Sequence, residues 1–298
     1  MNGDENKWLL GQEQNIIDLK IYQDDKGMYI QPKSLEDKKD IFYYLPLLTC
    51  YAQSTTIDFN IDDLMTFYRL VESSNISFDE NNDQHCDHLR QLFHVVFKKM
   101  LEDPRNDKEW ELLGFQNSRP GSDFRGGGFL SLQSLLYFCN KENEYVNEIV
   151  EFSREKSNYL FACVVISSVY FLKNYLHFGV YKSYNKKLDI SRTSSRKALK
   201  YFISLNYDRS LESRLYVFNE LIRAFNKKIF AYWKSSYTAN TNIKIVDFKQ
   251  AEHEIQNIFI ERFEYNASRV SLSESNSLEE LLDDFSGYHI SKVIIPTI

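Results

Sequence analysis

The sequence contains few residues that break regular structure. In 298 residues there are 10 glycines and 5 prolines, whereas phenylalanine and tyrosine number 22 and 20. Folds built from many short strands need frequent turn residues, so this scarcity favours long helices. The length, together with a 43% share of hydrophobic residues, allows a sizeable core in one large domain or two smaller ones.

Cysteine is also scarce. The four cysteines are far apart, with no C-x-x-C pair, and are Cys50, Cys86, Cys139 and Cys163. A disulfide framework is not expected at this density, so we predict reduced, partly buried thiols. His85 and His88 share a predicted helix face, but no second cluster supplies the remaining ligands of a closed zinc site. We therefore predict no metal and no other cofactor.

Several functional classes lack their signatures. The formal net charge of -6 argues against a nucleic-acid partner. Neither a P-loop (G-x-x-x-x-G-K-[ST]) nor a G-x-S-x-G nucleophile motif occurs. The first ten residues are polar, without the apolar core of a signal peptide. The most apolar stretch, 159–178, contains Ser167, Ser168 and Lys173, so we expect a buried central helix and no transmembrane segment.

Apolar residues at helical spacing predict an all-α fold. We predict an irregular N-terminal segment (1–40), with a short extended piece at 27–32, a single multi-helix domain (41–265) and an extended C-terminal tail (266–298). The basic stretch 182–200 is either a solvated connector or a contact for an acidic membrane or partner. The predicted helices cover residues 61–72, 84–101, 107–113, 129–139, 144–152, 159–178, 195–205, 209–234, 247–265 and 277–285.

One segment carries specific information, residues 110–138, which read WELLGFQNSRPGSDFRGGGFLSLQSLLYF. It resembles the signature of ELMO domains, including the shorter ELMOD group, of the form W-x-x-[IL]-G-F-Q-x-x-x-P-x-[ST]-D-F-R-G-x-G-x-L-x-L-x-x-L-x-Y-F. Seventeen residues match in one register without a gap, from Trp110 to Phe138. The resemblance implies that the helical domain is of the ELMO type. Asn117, Arg119 and Gly127 depart from residues common in the ELMOD group, which leaves the choice of partner open.

The residue types around Arg125 indicate how this segment could act. Three glycines follow it, and glycine lets another surface approach the backbone closely. We expect Arg125 on a loop just before the next helix, where Asp123 could cap the local turn or hold the arginine back. Gln116 could orient a water molecule or satisfy backbone groups of the loop. Trp110, Phe115 and Phe124 are interpreted as core residues and not as ligand contacts.

The family resemblance implies a regulator of Arf-family small GTPases, namely a GTPase-activating protein that supplies Arg125 in trans to the transferring γ-phosphoryl group. The residues implied to contact the partner are Gln116, Asp123, Gly126, Gly127 and Gly128. Two other roles for Arg125 are a buried pair with a carboxylate and a non-catalytic GTPase contact.

The alternative function is a non-catalytic scaffold, or a subunit of a larger cytoskeletal or ciliary assembly. The expected location is the cytoplasm, with association with the cytoskeleton or cilium left open. A guanidinium of Arg125 that is buried against a carboxylate would favour the scaffold.

Overall fold

The computed structural model describes residues 20–24, 27–31, 70, 73–157, 159–176, 198, 201–202, 204–205, 211–240, 242–269, 278–288 and 290. The chain divides into two compact units, Met1–Thr66 and Phe67–Ile298. In the first unit, strands β1 (Lys20–Asp24) and β2 (Gly27–Gln31) form an antiparallel hairpin that pairs Lys20 with Gln31. The second strand coincides with the predicted extended piece at 27–32.

The second unit is helical, which confirms the predicted all-α class. The described residues of this unit also form two short 3₁₀ helices, Pro120–Ser122 and Ile245–Asp247, and a π-helical turn at Ser153–Ser157. Its α-helices within the described residues are α1 (Asp83–Phe97), α2 (Glu109–Leu112), α3 (Gly128–Lys141), α4 (Asn143–Phe152), α5 (Phe161–Tyr175), α6 (Leu211–Ala239), α7 (Phe248–Arg269) and α8 (Leu278–Gly287).

Helix α5 is the centre of this unit. It packs against both α3 and α6. Helix α1 packs on α3, and α7 and α8 pack on α6. Val165 and Val169 are fully buried, and Phe171 stacks on Phe225 of α6 with ring centroids 5.5 Å apart. The prediction of a buried central helix is therefore confirmed. No helix in the described ranges has both the length and the apolar character needed to span a bilayer.

The C-terminal end of helix α1 differs from the predicted one. Asn82 begins the helix, because its side chain accepts hydrogen bonds from the N–H groups of Gln84 and His85. The helix ends at Phe97 because Lys98 adopts a left-handed conformation (φ 55°) while its N–H still bonds to the carbonyl of His94. The predicted end near residue 101 was too late, and Met100, predicted on the apolar face, is 81% exposed.

Several predictions lie outside the described residues. They are the helix at 61–72 except residue 70, most of the helix at 195–205, the basic stretch 182–200 except residue 198, and the tail at 292–298. Of the four cysteines, Cys86 and Cys139 are buried and Cys163 is partly buried; all three are free thiols.

Candidate functional site

A chain of aromatic rings supports the segment around Arg125. Trp110 of α2, Phe115 and Phe124 are each at most 1% exposed, which confirms the prediction that they are core residues. Their rings meet edge to face, with centroids 5.4 Å apart for Trp110 and Phe115 and 5.6 Å apart for Phe115 and Phe124. Phe78, in the segment that precedes α1, adds a further contact with Phe124 at 4.9 Å. The backbone that leads into Arg125 is thereby anchored in the core.

At Gly114 the backbone of this segment packs directly against the start of α5. The first turn of α5 has no side-chain cap, and its N–H groups bond instead to the segment's carbonyls, Ala162 to Leu113 (3.0 Å) and Cys163 to Gly114 (3.3 Å). The two backbones approach so closely that a Cβ on Gly114 would lie 2.2 Å from the nitrogen of Phe161. Gly114 also has φ +92°, so both space and conformation require glycine here.

The three glycines after Arg125 have different environments. Gly128 begins α3 with φ +65°, and a Cβ there would lie 2.4 Å from the carbonyl oxygen of Ile76, which accepts the N–H of Phe129. Gly127 is buried, and a Cβ there would lie 1.7 Å from Oγ of Ser131. Gly126 is exposed, and the atoms nearest to a Cβ placed there belong to the Tyr170 side chain, 3.8 Å away. Two of the glycines therefore serve close packing, and one lies at the surface.

Asp123 does not pair with Arg125 in the described structure. Its Oδ2 accepts the backbone N–H of Gln116 at 2.8 Å, and the thiol of Cys163 lies 3.7 Å from the same oxygen. The hydroxyl of Ser122 lies 3.4 Å from Oδ1. The carboxylate thus caps the local turn, one of the two roles suggested for it by the sequence.

Arg125 is exposed, on the loop immediately before α3. Its Nε donates a hydrogen bond to the carbonyl oxygen of Ser122 at 2.8 Å. Within the part of the chain that the structure describes, its two terminal nitrogens form no hydrogen bond and no ion pair. Other arginines of the domain are paired with acids, for example Arg105 with Asp103 (2.7 Å) and Arg223 with Glu220 (2.7 Å).

Three exposed side chains lie beside the loop that carries Arg125 (residues 123–127), which we call the arginine loop. The side chain of Gln116 is exposed, and only its backbone N–H is used by Asp123. Tyr170 of α5 lies against Gly126 and is 43% exposed, and Ile76, whose carbonyl covers Gly128, is 46% exposed. Ile76 and Tyr170 were not predictable as neighbours of Arg125, because they lie 49 residues before it and 45 residues after it and only the packing brings them together.

The segment that carries Ile76 is held by two buried titratable groups. The N–H of Asp79 bonds to Nδ1 of His85 at 2.9 Å, and burial lowers the pKa of this histidine. Lys173 of α5 is 7% exposed and donates a hydrogen bond to the carbonyl of Ser74, and burial lowers its pKa to about 8. These contacts connect the arginine loop, through Ile76, to α1 and α5.

The histidine pair has a packing role. His85 stacks on Phe129 with centroids 4.0 Å apart, and His88 meets the same ring edge-on at 4.9 Å. His88 also bonds through Nδ1 to the carbonyl of Gln84 at 2.8 Å. Among the described residues, no group of three or more histidine, cysteine, aspartate or glutamate side chains is arranged to hold a metal ion.

A separate cleft lies between α6 and α8, with a volume of about 540 Å³. Its walls include Tyr145, Arg223 and Lys227. Three cations of these walls have described partners: Arg223 binds Glu220 at 2.7 Å, Lys227 binds Glu142 at 3.0 Å, and Lys228 donates to the carbonyl of Ser286 at 2.8 Å. These cations are thus held by contacts within the chain.

The chain is similar in sequence to proteins of a known family. Residues 69–252 match the model of the ELMO/CED-12 family. The chain is 30% identical over 167 residues to ELMO domain-containing protein B of Dictyostelium discoideum, covering 54% of this chain and 57% of that protein. It is 29% identical over 148 residues to human ELMO domain-containing protein 2, covering 49% of this chain and 47% of that protein. The chain thus spans about half the length of these relatives. No solved structure matches it.

Proposed function

The chain belongs to the ELMO/CED-12 family, and from this premise we propose that it stimulates GTP hydrolysis by a small GTPase of the Arf family. In this proposal Arg125 enters the nucleotide site of the GTPase and acts there in trans. The observation that carries the proposal is the state of this side chain: it is exposed, and within the described residues its terminal nitrogens have no partner.

The single hydrogen bond of Arg125 suits this role. The guanidinium group carries five N–H donors, of which the one on Nε is held by the carbonyl of Ser122. The four donors on the terminal nitrogens are left to face a ligand, and their planar arrangement matches two phosphate oxygens at once. Because Nε is already fixed, less side-chain freedom is lost when the arginine binds.

The expected chemical effect is stabilisation of charge. During hydrolysis, negative charge shifts among the γ-phosphoryl oxygens and the bridging oxygen, and a positioned guanidinium neutralises it in the transition state. An arginine supplied in trans accelerates hydrolysis by roughly 10³–10⁵-fold. Lysine carries the same charge but lacks both the fork and an Nε donor for Ser122, so it is expected to replace Arg125 poorly.

The neighbouring exposed groups would contact the GTPase around this arginine. Gln116 offers an uncommitted amide, Gly126 allows close approach of the partner backbone, and Ile76 and Tyr170 offer apolar surface beside them. Tyrosine, isoleucine and arginine next to each other are a common composition for the centre of a protein interface. Of the other predicted partner-binding residues, Asp123, Gly127 and Gly128 would contribute by shaping the loop.

Single-turnover hydrolysis of GTP on a panel of Arf-family GTPases tests the proposal. With a responding GTPase, Arg125→Ala should lose most of the stimulation, and Arg125→Lys nearly as much. Arg154→Ala is the matched control, because Arg154 is another exposed arginine, in the π-helical turn. Unchanged stimulation by a folded Arg125→Ala variant would refute the catalytic role.

The same experiment distinguishes the GTPase-activating function from the alternative function, a non-catalytic scaffold. A scaffold would bind a GTP-loaded GTPase, or subunits of a cytoskeletal or ciliary assembly, without accelerating hydrolysis, and Arg125→Ala would then change only the affinity. The GTPase reaction itself would take place in the cytoplasm, where GTP-loaded Arf-family proteins are available.

A further inference from the structure

The carboxylate of Asp123 lies where three segments of the domain meet. Through Oδ2 it binds the N–H of Gln116 at 2.8 Å and faces the thiol of Cys163, in the first turn of α5, at 3.7 Å. Through Oδ1 it faces the hydroxyl of Ser122, the last residue of the short 3₁₀ helix, at 3.4 Å. The carboxylate therefore ties the loop to the central helix. It acts on the 3₁₀ turn through the peptide bond that joins Asp123 to Ser122, because the hydroxyl proton of Ser122 is used by the carbonyl of Arg119 at 2.9 Å.

The residue that Asp123 faces in the turn is the one that holds Arg125. The carbonyl of Ser122 accepts the hydrogen bond from Nε of Arg125. Ser122 is itself fixed, since its N–H and its hydroxyl both reach the carbonyl of Arg119, at 3.2 and 2.9 Å. The N–H of Asp123 closes the same turn on the carbonyl of Pro120 at 3.0 Å. Movement of the turn would thus move the atom that orients the guanidinium.

The chemistry of the contacts favours a carboxylate at this position. Burial, with the nearby negative charge of Asp123, raises the pKa of Cys163 to about 12, so its thiol keeps a proton to donate at neutral pH. Cys163 belongs to the first turn of α5, where the helix dipole favours a negative group. An asparagine would keep one oxygen acceptor but replace the other by an amide donor and remove the charge.

We propose that Asp123 is a positioning residue for Arg125, which it orients through the Ser122 carbonyl without touching the arginine itself. This inference rests on the proposed function. It gives Asp123 a role inside its own chain, in place of direct contact with the GTPase. Loss of the carboxylate should leave binding of the GTPase intact and misplace the guanidinium relative to the γ-phosphoryl group.

The test is single-turnover hydrolysis on the GTP-loaded Arf-family protein that responds most strongly to the wild type, with the chain titrated to saturation. For Asp123→Ala we expect the maximal rate to fall by up to about 100-fold, as for other small misplacements of catalytic groups, with an unchanged half-saturating concentration. Asp123→Asn should retain part of the rate. In the double variant with Arg125→Ala, the substitution of Asp123 should cause no further loss.

The matched control is Asp107→Ala. Asp107 makes the same kind of bond, from Oδ1 to the N–H of Glu109 at 2.8 Å, but it holds the start of α2 and not the arginine turn. It should leave the maximal rate unchanged. An Asp123→Ala variant with full maximal rate, or with a loss as large in the Arg125→Ala background, overturns the inference even if Arg125 is catalytic.

A second measurement needs no GTPase. Amide hydrogen exchange in peptides covering residues 114–131 should accelerate in Asp123→Ala, most clearly at Gln116 and in the turn before α3, and stay at wild-type rates in Asp107→Ala. Exchange that is unchanged in this region of Asp123→Ala overturns the positioning role. A panel in which no GTPase responds to the wild type refutes the proposed function, so the two failures are distinguishable.

Discussion

The buried ammonium group of Lys173 should make stability depend on pH in an unusual direction. Lys173 is 7% exposed, and the described contact of its Nζ is the carbonyl of Ser74. Burial lowers its pKa to about 8 in the folded chain, against about 10.4 for an unfolded lysine. Between these two values the unfolded chain binds more protons than the folded chain, so the free energy of unfolding should rise with pH. Below pH 8 both states are protonated, and the full penalty of the buried charge is present.

The size of the effect follows from the shift. Each unit of pKa corresponds to about 1.4 kcal/mol, so the charged form of Lys173 destabilises the fold by about 3 kcal/mol at neutral pH. Between pH 8 and 9.5 the free energy of unfolding of the wild type should rise by about 2 kcal/mol, because Lys173 loses its proton in the folded chain. Lys173→Met removes the charge, but leaves the carbonyl of Ser74 without this donor at a cost of about 1–3 kcal/mol. At pH 7 the variant should therefore be as stable as the wild type or more stable.

Urea unfolding at pH 7, 8, 9 and 9.5, followed by the fluorescence of the buried Trp110 and Trp233, measures the difference between the two chains. Burial raises the pKa of tyrosines such as Tyr175, so their contribution to the stability of the fold is lost as pH rises above 10. This loss is the same in the wild type and in Lys173→Met. The matched control is Lys234→Met, since the Lys234 side chain is 44% exposed and pairs with Glu148 at 2.5 Å. A constant difference between wild type and Lys173→Met across the range would refute the reasoning.

Two further predictions concern the support of the arginine loop. Gly128→Ala should lower the melting temperature strongly, because a left-handed alanine costs about 1–2 kcal/mol and its Cβ would meet the carbonyl of Ile76 at 2.4 Å. Gly126→Ala should be close to neutral, because the atom nearest to its Cβ is 3.8 Å away. Equal melting temperatures of the two variants would contradict a packing role for Gly128. His85 accepts the N–H of Asp79 only when neutral, and its pKa is lowered by burial, so its contribution is complete above about pH 6.5 and is lost as pH falls toward the folded pKa. Thermal unfolding at pH 7.5 and 5.5 should show this loss, with a smaller one in His85→Asn, which does not titrate.

The helices were largely predictable because burial of one face imposes a period on the sequence. The apolar stretch 159–178 predicted the central helix, which the structure gives as Phe161–Tyr175. The end of α1 was not predictable in the same way. The apolar period continues to Met100, whereas the helix stops at a left-handed Lys98. Nothing in the local pattern marks a lysine for this conformation, which glycine and asparagine adopt far more readily.

The candidate site was predictable only where its residues are contiguous. The segment from Trp110 to Phe138 placed Arg125 before a helix, and the structure has α3 beginning three residues later, at Gly128. The pairing of Asp123 with Gln116 and Cys163 was not predictable, because Cys163 is 40 residues away in sequence. The same applies to Tyr170, which only the packing of α5 brings beside Gly126.

The glycine run itself has a different meaning in the structure from the one its composition suggests. A sequence of three glycines indicates a loosened bend. In the structure, however, a Cβ on Gly128 would collide with the backbone carbonyl of Ile76, and a Cβ on Gly127 would displace the hydroxyl of Ser131 and lie 3.3 Å from Val169. Glycine at these positions allows tight packing, and tight packing fixes the backbone that carries Arg125. A catalytic group held in this way loses little conformational freedom on binding, so more of the interaction energy is available in the transition state. The rigidity of the loop, and not its flexibility, is therefore the property through which the glycines would serve an arginine that acts in trans.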